Sequence, residues 1–231
     1  MKIYIDPGHG GVWPNGDPGV VSENGQKIES YYTWKYANAL QDFLENEGFQ
    51  TELTRKQDEY KIPYSQRTSS ATENDLLISL HFDTYLGGKK LIYYGKQEES
   101  LELAESIDKF FGSGDLRATS TSRFNGLYID DSSSPSVLIE VDRIDKATLD
   151  EGTMKAFCED VLRGIRLFLG EEDTTEHQNS GQIENDSTIT TSFKRVFLVS
   201  EDNSSQEIPV ERMSIVGDKL YIAPSKEWFV E

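Results

Sequence analysis

The sequence predicts an α/β fold over residues 1–171: a twisted, mostly parallel sheet with helices on both faces, followed by a small β-rich C-terminal module. Three observations carry this. "LLISLHF" (76–82) and "SVLIEVD" (136–142) are near-continuous apolar runs of strand length, as expected of strands buried on both faces. Amphipathic helical segments alternate with such runs through the first three quarters of the chain, which is what covering a parallel sheet requires. After residue 171 the pattern breaks into a polar stretch and then short strand-like runs.

In order, "KIYI" is a strand that opens into a Gly/Pro/Asn-rich loop, "DPGHGGVWPNGDPG". In "KIESYYTWKYANALQDFLENEGF", Ile28, Tyr32, Tyr36, Ala39 or Leu40, and Phe43 recur at helical spacing, with Gly48 as the C-cap. "QTELTR" (50–55) is a second strand and "SQRTSSATEND" (65–75) a less amphipathic helix. Beyond "LLISLHF" come "KKLIYYG" as a strand, "SLELAESIDKFFG" as a helix, "NGLYID" as a strand or loop edge, and then "SVLIEVD". The last large helix is "KATLDEGTMKAFCEDVLRGIRLFLG", with Leu149, Met154, Phe157, Val161, Ile165 and Phe168 on one face. Residues 172–190 are polar and read as a linker by composition. In the module at 191–231, "SFKRVFLVS", "QEIPVERMSIV" and "KLYIAPS" are three short strands with a turn at Gly217 and Asp218, too few for much independent core.

A chain of 231 residues suits one substantial domain and a small second one. Its 41 acidic against 23 basic residues give a net charge of −18 at pH 7. That balance argues against nucleic acid and anionic membranes as partners, because both need a cationic face. Solubility is the simplest use of the charge; adaptation to salt or binding of a cationic polymer is the runner-up. Cys158 is the single cysteine and falls among Phe157, Val161 and Leu162, which reads as a buried structural thiol. "MKIYID" runs straight into a strand without a basic and apolar leader, and no run reaches membrane-spanning length. Synthesis in a cytoplasm without a signal peptide, and no membrane insertion, are therefore expected.

In an open α/β sheet, ligands collect at the carboxyl ends of the strands. His9 follows the first strand, His81 ends "LLISLH", and Glu140 lies near the end of "SVLIE". Glu29 opens the first helix after the loop that holds His9. Two histidines and two carboxylates thus converge on one rim, the inventory of a hydrolytic zinc site: three ligands, an open position for water, and a carboxylate base. Each residue also has a plainer reading. His9 between glycines could end a turn, and His81 could be a satisfied core histidine. Glu29 could be a helix-start carboxylate favoured by the dipole. Glu140, between Ile139 and Val141, is costly in a buried strand unless paired, protonated or near a metal. His177 falls in the polar linker and reads as solvated.

"IDPGHGG", "KIESYYTWKYANALQDFLENEGFQTELTR", "YSQRTSSATENDLLISLHFD" and "PSVLIEVD", in that order, resemble the family 3 N-acetylmuramoyl-L-alanine amidases, over roughly residues 1 to 170. The resemblance implies a zinc enzyme (Zn2+) that cleaves the amide between muramic acid and the first alanine of the peptidoglycan stem. It carries the zinc-ligand roles to His9, Glu29 and His81, and that of general base to Glu140. Arg55 in "LTR" and Arg67 in "SQR" match recurrent family arginines and read as structural, Arg67 with an alternative role behind the site or against substrate. Where the family has His-Ala-Asn this chain has "HFD", so Asp83 places an acid where an amide is usual, behind the metal or against substrate. After the base, Val141, Asp142 and Arg143 replace the usual Gly and Phe.

With no visible signal peptide, the resemblance points to a phage or prophage endolysin that acts at the wall after release, with a sporulation lysin as the alternative. The alternatives in other classes are a non-catalytic peptidoglycan-binding module and a zinc peptidase acting on stem or cross-bridge peptides. On this reading peptidoglycan is the substrate, and the C-terminal module binds wall polymer or promotes homo-oligomers.

Overall fold

The structure is a computed structural model. It describes residues 1–11, 16–56, 62–84, 90–122 and 126–171, and beyond them the backbone of four strands between residues 188 and 224. The chain divides into two compact units, Met1–Glu172 and Asp173–Glu231.

The first unit runs β1 (Ile3–Pro7), α1 (Glu29–Asn46), β2 (Thr51–Leu53), α2 (Tyr64–Thr68), β3 (Leu76–Asp83), β4 (Leu91–Tyr94), α3 (Glu99–Phe111), β5 (Leu116–Ala118), β6 (Ser136–Arg143) and α4 (Glu151–Phe168), with 3-10 turns at Thr119–Thr121 and Tyr128–Asp131. Its six strands are ordered β2-β1-β3-β6-β4-β5. Every neighbouring pair is parallel except β4 with β6. The predicted mostly parallel α/β sheet is therefore the observed one.

Alternation along the strands gives the sheet two unlike faces. On one, Ile3, Ile5, Leu76, Ile78, Leu80, Val137 and Ile139 join α1, α3 and α4 in a single large core. The other holds only a small apolar cluster around Tyr4, Leu77, Ile129 and Leu138, covered by the segment after α2 and the turn at Tyr128–Asp131. Asp6, Ser79, His81 and Glu140 occupy alternate positions with Tyr4, Leu77 and Leu138, so they belong to this thinly covered face. Asp6 pairs with Ser79 across β1 and β3, and His81 with Glu140 across β3 and β6.

Several elements differ from the sequence reading. The helix expected over 65–75 is the five-residue α2, Tyr64–Thr68. The Asp75 carboxylate accepts from Thr72 N and Oγ1 at 3.0 and 2.7 Å and from Lys2 N at 2.8 Å, a turn that swings the chain into β3. "NGLYID", read as a strand or loop edge, takes the second form: its described residues lead into a 3-10 turn at Tyr128–Asp131. β5 is a three-residue edge strand with no apolar run to announce it. α4 starts at Glu151, because the Asp150 side chain accepts from Thr153 N and caps it there; Leu149 lies ahead of the helix and is exposed. Glu47, not Gly48, is the C-cap of α1, and Gly48 follows at φ 89°. Cys158 is buried on α4, and burial pushes its thiol up to about 12. Among the described residues no helix is long and apolar enough to cross a membrane.

In the second unit, β7 (Thr188–Thr191), β8 (Arg195–Val199), β9 (Ser205–Val216) and β10 (Lys219–Pro224) are antiparallel around β9. The first half of β9 pairs with β8, and the second half lies between β7 and β10. β7 begins inside the stretch that composition assigns to linker; its Thr-Ile-Thr-Thr sequence has the β-branched content of a strand. Residues 172–187, His177 among them, and the turn at Gly217 and Asp218 lie outside the described residues.

Candidate functional site

β1 ends at Pro7, and the chain then turns sharply: His9 is the non-glycine residue at positive φ (58°) among those described. Hydroxyls in the first two turns of α1 pin this bend. Thr33 Oγ1 donates to Gly8 O at 2.8 Å and Ser30 Oγ to Gly11 O at 2.9 Å. Two buried arginines hold it from beneath. Arg55 donates through Nε to Pro7 O at 2.9 Å and through Nη2 to Ser30 O at 3.0 Å. Arg67 donates to Asp6 Oδ1 at 2.7 Å, Pro7 O at 2.8 Å and His9 O at 2.5 Å. Arg67 therefore anchors the backbone that presents His9, and it is not among the residues lining the cleft.

Glu29 is the first residue of α1, where the helix dipole favours an anion. It is buried, and its two oxygens are aimed by backbone donors: Val20 N at 2.8 Å and Phe82 N at 3.0 Å. Glu29 Oε2 lies 3.1 Å from His9 Nε2, and Oε1 lies 3.0 Å from His81 Nδ1. One donor atom from each of His9, Glu29 and His81 falls within 4.8 Å of the others. Glycines make this convergence possible. A Cβ on Gly8 would sit 2.5 Å from His81 Cε1 and Nε2; on Gly19, at φ 70°, it would strike Glu29 Oε2 and lie 2.6 Å from His9 Cδ2.

The electrostatics follow. Burial opposes protonation of His9, but hydrogen bonding and charge from Asp17 and Glu29 outweigh it and raise its pKa to about 10. Burial would raise the Glu29 pKa, yet the two imidazoles hold it well below the usual carboxylate range. A carboxylate between two imidazoles is a set of donors that attracts a cation. Two nitrogens and one oxygen in this arrangement match the three protein ligands of an open zinc site, so the residues present fit that ion.

These residues border a cleft of about 530 Å³ on the thinly covered face of the sheet. Glu140 and Asp83 line it too, Glu140 from β6 opposite His81. The Asp83 carboxylate accepts from Thr84 N at 2.5 Å. The rim inferred from strand ends, His9, Glu29, His81 and Glu140, is thus brought together around one cleft.

Four participants escape the sequence reading. Asp17 lies 3.0 Å from His9 Nδ1, and its place in "GDPG", in the same glycine-rich loop, was a usable signal. Asp6, fully buried, accepts from Thr54, Arg67, Ser79 and Tyr128. A charge at the end of an apolar strand is the cue that singles out Glu140, and Asp6 has it as well. Ser79 looks like a small core residue, and Tyr128, 47 residues from His81 and 122 from Asp6, has no local signature at all.

The model of the family described as N-acetylmuramoyl-L-alanine amidase (Amidase_3) matches residues 3–166. A germination-specific N-acetylmuramoyl-L-alanine amidase of Bacillus subtilis (strain 168) is 30% identical over 160 residues, covering 60% of this chain and 65% of that protein. The probable cell wall amidase LytH of Staphylococcus saprophyticus is 28% identical over 179 residues, 73% of this chain and 58% of that protein. The chain thus spans less than two thirds of either relative. Among solved structures, the catalytic domain of CwlV, an amidase from Bacillus (Paenibacillus) polymyxa, superposes with a TM-score of 0.60 at 21% identity, covering 74% of this chain and 99% of that one. The catalytic domain of the CD27L endolysin targeting Clostridia difficile gives 0.56 at 21%, covering 74% and 98%. At such identity the structures establish the fold, while the family match extends from β1 into α4 and takes in every residue of the cleft named above. The chain belongs to the N-acetylmuramoyl-L-alanine amidase family.

Proposed function

We propose that the chain hydrolyses the amide between N-acetylmuramic acid and L-alanine of peptidoglycan, with zinc held by His9, Glu29 and His81. The observation that carries this is the convergence of those three donors within 4.8 Å, in a cleft that Glu140 shares. A zinc ion bound there supplies Lewis acidity, which polarises the scissile carbonyl and makes water acidic enough to attack near neutral pH. Glu140 takes the proton of the attacking water on a carboxylate oxygen. It then delivers that proton to the departing alanine nitrogen, which must be protonated because an amide anion is too poor a leaving group. Gly8 and Gly19 keep the approach to the imidazoles open, and Arg55 and Arg67 hold the His9 turn rigid. Asp83 adds negative charge to the wall of the cleft, and so favours substrate groups that carry donors there.

The two settings proposed are a lytic role as an endolysin and a spore role, the second supported by the likeness to the germination-specific amidase. Digestion of vegetative walls and of spore cortex in parallel, with products read by mass spectrometry, tests both the chemistry and the setting. Stem peptides with a free N-terminal alanine, lost on chelation and restored by zinc, are the expected products. Glu140→Gln is expected to keep zinc and lose activity by about 10²–10⁴-fold, while His81→Ala loses zinc itself. Binding without cleavage would point to a non-catalytic module, cleavage within the peptide to a peptidase, and full turnover by Glu140→Gln would remove that residue from the reaction.

A further inference from the structure

We propose that Tyr128 is a positioning residue that sets the tautomer of His81: its oxygen accepts the Nε2–H, which leaves Nδ1 as the atom turned to the metal. The inference rests on the zinc reading above and concerns a residue outside the four that carry that reading.

The Tyr128 hydroxyl has three neighbours, the Asp6 carboxylate through Oδ2, Ser79 Oγ at 2.6 Å and His81 Nε2 at 3.3 Å. A phenol has one proton to give. Asp6 is ionised, since Arg67 lies 2.7 Å away and holds it below the usual carboxylate range despite its burial, so it can only accept. Ser79 Oγ also reaches Asp6 Oδ2, at 2.9 Å. Whether Ser79 gives its proton to Asp6 or to Tyr128, the tyrosine proton is directed to the Asp6 and Ser79 side. The oxygen then has a lone pair facing His81. A bare Nε2 at 3.3 Å would set two lone pairs against each other, whereas Nε2–H makes a hydrogen bond. The opposite nitrogen, Nδ1, lies beside Glu29 Oε1 at 3.0 Å, inside the donor set, where a bound cation takes the place of the proton that this contact requires in its absence.

The other histidine is held the opposite way. His9 turns Nε2 toward Glu29 at 3.1 Å and has Asp17 at 3.0 Å from Nδ1. Its outer partner is a carboxylate, which adds charge. Tyr128 is neutral, so the chain Arg67–Asp6–Tyr128–His81 orients its imidazole without adding a further negative charge to the metal's surroundings. Tautomer control of this kind through an outer hydrogen bond is worth about 10–100-fold in metal affinity.

The test is zinc affinity of the metal-stripped full-length protein, by competition with a chromophoric chelator. Tyr128→Phe keeps the ring and its stacking on Tyr64, at 4.8 Å between centroids, and removes only the hydroxyl. It is expected to bind zinc about 10–100-fold more weakly. Affinity equal to the parent would overturn the inference while leaving the zinc reading intact. Failure of the parent to bind zinc would overturn both. Nitrogen-15 NMR of the zinc-loaded parent reads the tautomer without any variant: a proton on Nε2 of His81 supports the assignment, and a proton on Nδ1 overturns it.

Discussion

The two faces of the central sheet are built from the same strands and serve different ends. Toward α1, α3 and α4, residues such as Ile5, Ile78, Leu80 and Ile139 are fully buried in one apolar core. One position along, Asp6, Ser79, His81 and Glu140 turn to the other face, where a short turn and a short helix leave room for a cleft. The difference teaches that alternation with a period of two lets a buried strand supply stability and chemistry at once. It also shows how charge is tolerated beside the cleft. Asp6 carries a permanent counterion, Arg67, whereas Glu29 faces two imidazoles that a metal can engage.

If the polar face served chemistry alone, removing Arg67 would leave stability untouched. Arg67→Met is expected instead to destabilise the protein by about 3–5 kcal/mol, the largest effect here, because it strands the Asp6 carboxylate in the interior. Urea unfolding of the metal-free protein checks this. A loss below 1 kcal/mol, on the order of an exposed pair, would mean that the apolar face alone carries the fold.

The unequal legibility of the two faces has the same physical origin. The apolar face announces itself locally: "LLISLHF" and "SVLIEVD" give β3 and β6 nearly to the residue, because continuous burial forces continuous hydrophobicity. The rim of His9, Glu29, His81 and Glu140 was legible because strand ends in such sheets point to one edge. The Asp6 cluster was not, since its members come from β1, α2, β3 and the 3-10 turn and meet only after folding. Strand order was equally hidden. β6 inserts between β3 and β4, and β5 is too short and polar to carry a signal. α2 and α4 are shorter than their helical periodicity suggests, because that periodicity says nothing about the side-chain turns at Asp75 and Asp150 that end or delay them.

The pH dependence of the metal-free protein sharpens the comparison at intermediate cost. Asp6, with its pKa depressed, contributes stability above the ordinary value of 3.8 that is lost as pH falls through the folded one. His9 works in the other direction. Its pKa is raised from 6.5 to about 10, so its contribution is complete below 6.5 and is lost as pH rises toward 10. The limiting slope for one proton is about 1.4 kcal/mol per pH unit. Zinc should abolish the alkaline limb, since a ligating imidazole must be free of that proton, and leave the acid limb of Asp6 in place. Unfolding free energies from about pH 2 to 10, with and without zinc, would show both limbs; an alkaline limb that survives saturating zinc would separate His9 from the metal.

The smallest effect discriminates most finely between the two clusters. Ser79→Ala removes a hydroxyl that donates to Asp6 Oδ2 at 2.9 Å and touches the Tyr128 oxygen at 2.6 Å. Asp6 keeps Arg67, Thr54 and Tyr128, so the cost should be that of one hydrogen bond, about 1 kcal/mol. Zinc affinity should not change. With Ser79 gone the tyrosine proton has Asp6 as its acceptor, and the lone pair facing His81 is undisturbed. Should Ser79→Ala weaken zinc as much as Tyr128→Phe does, the coupling between the clusters would run through the packing of β1 against β3, and the tyrosine hydroxyl would lose its special place.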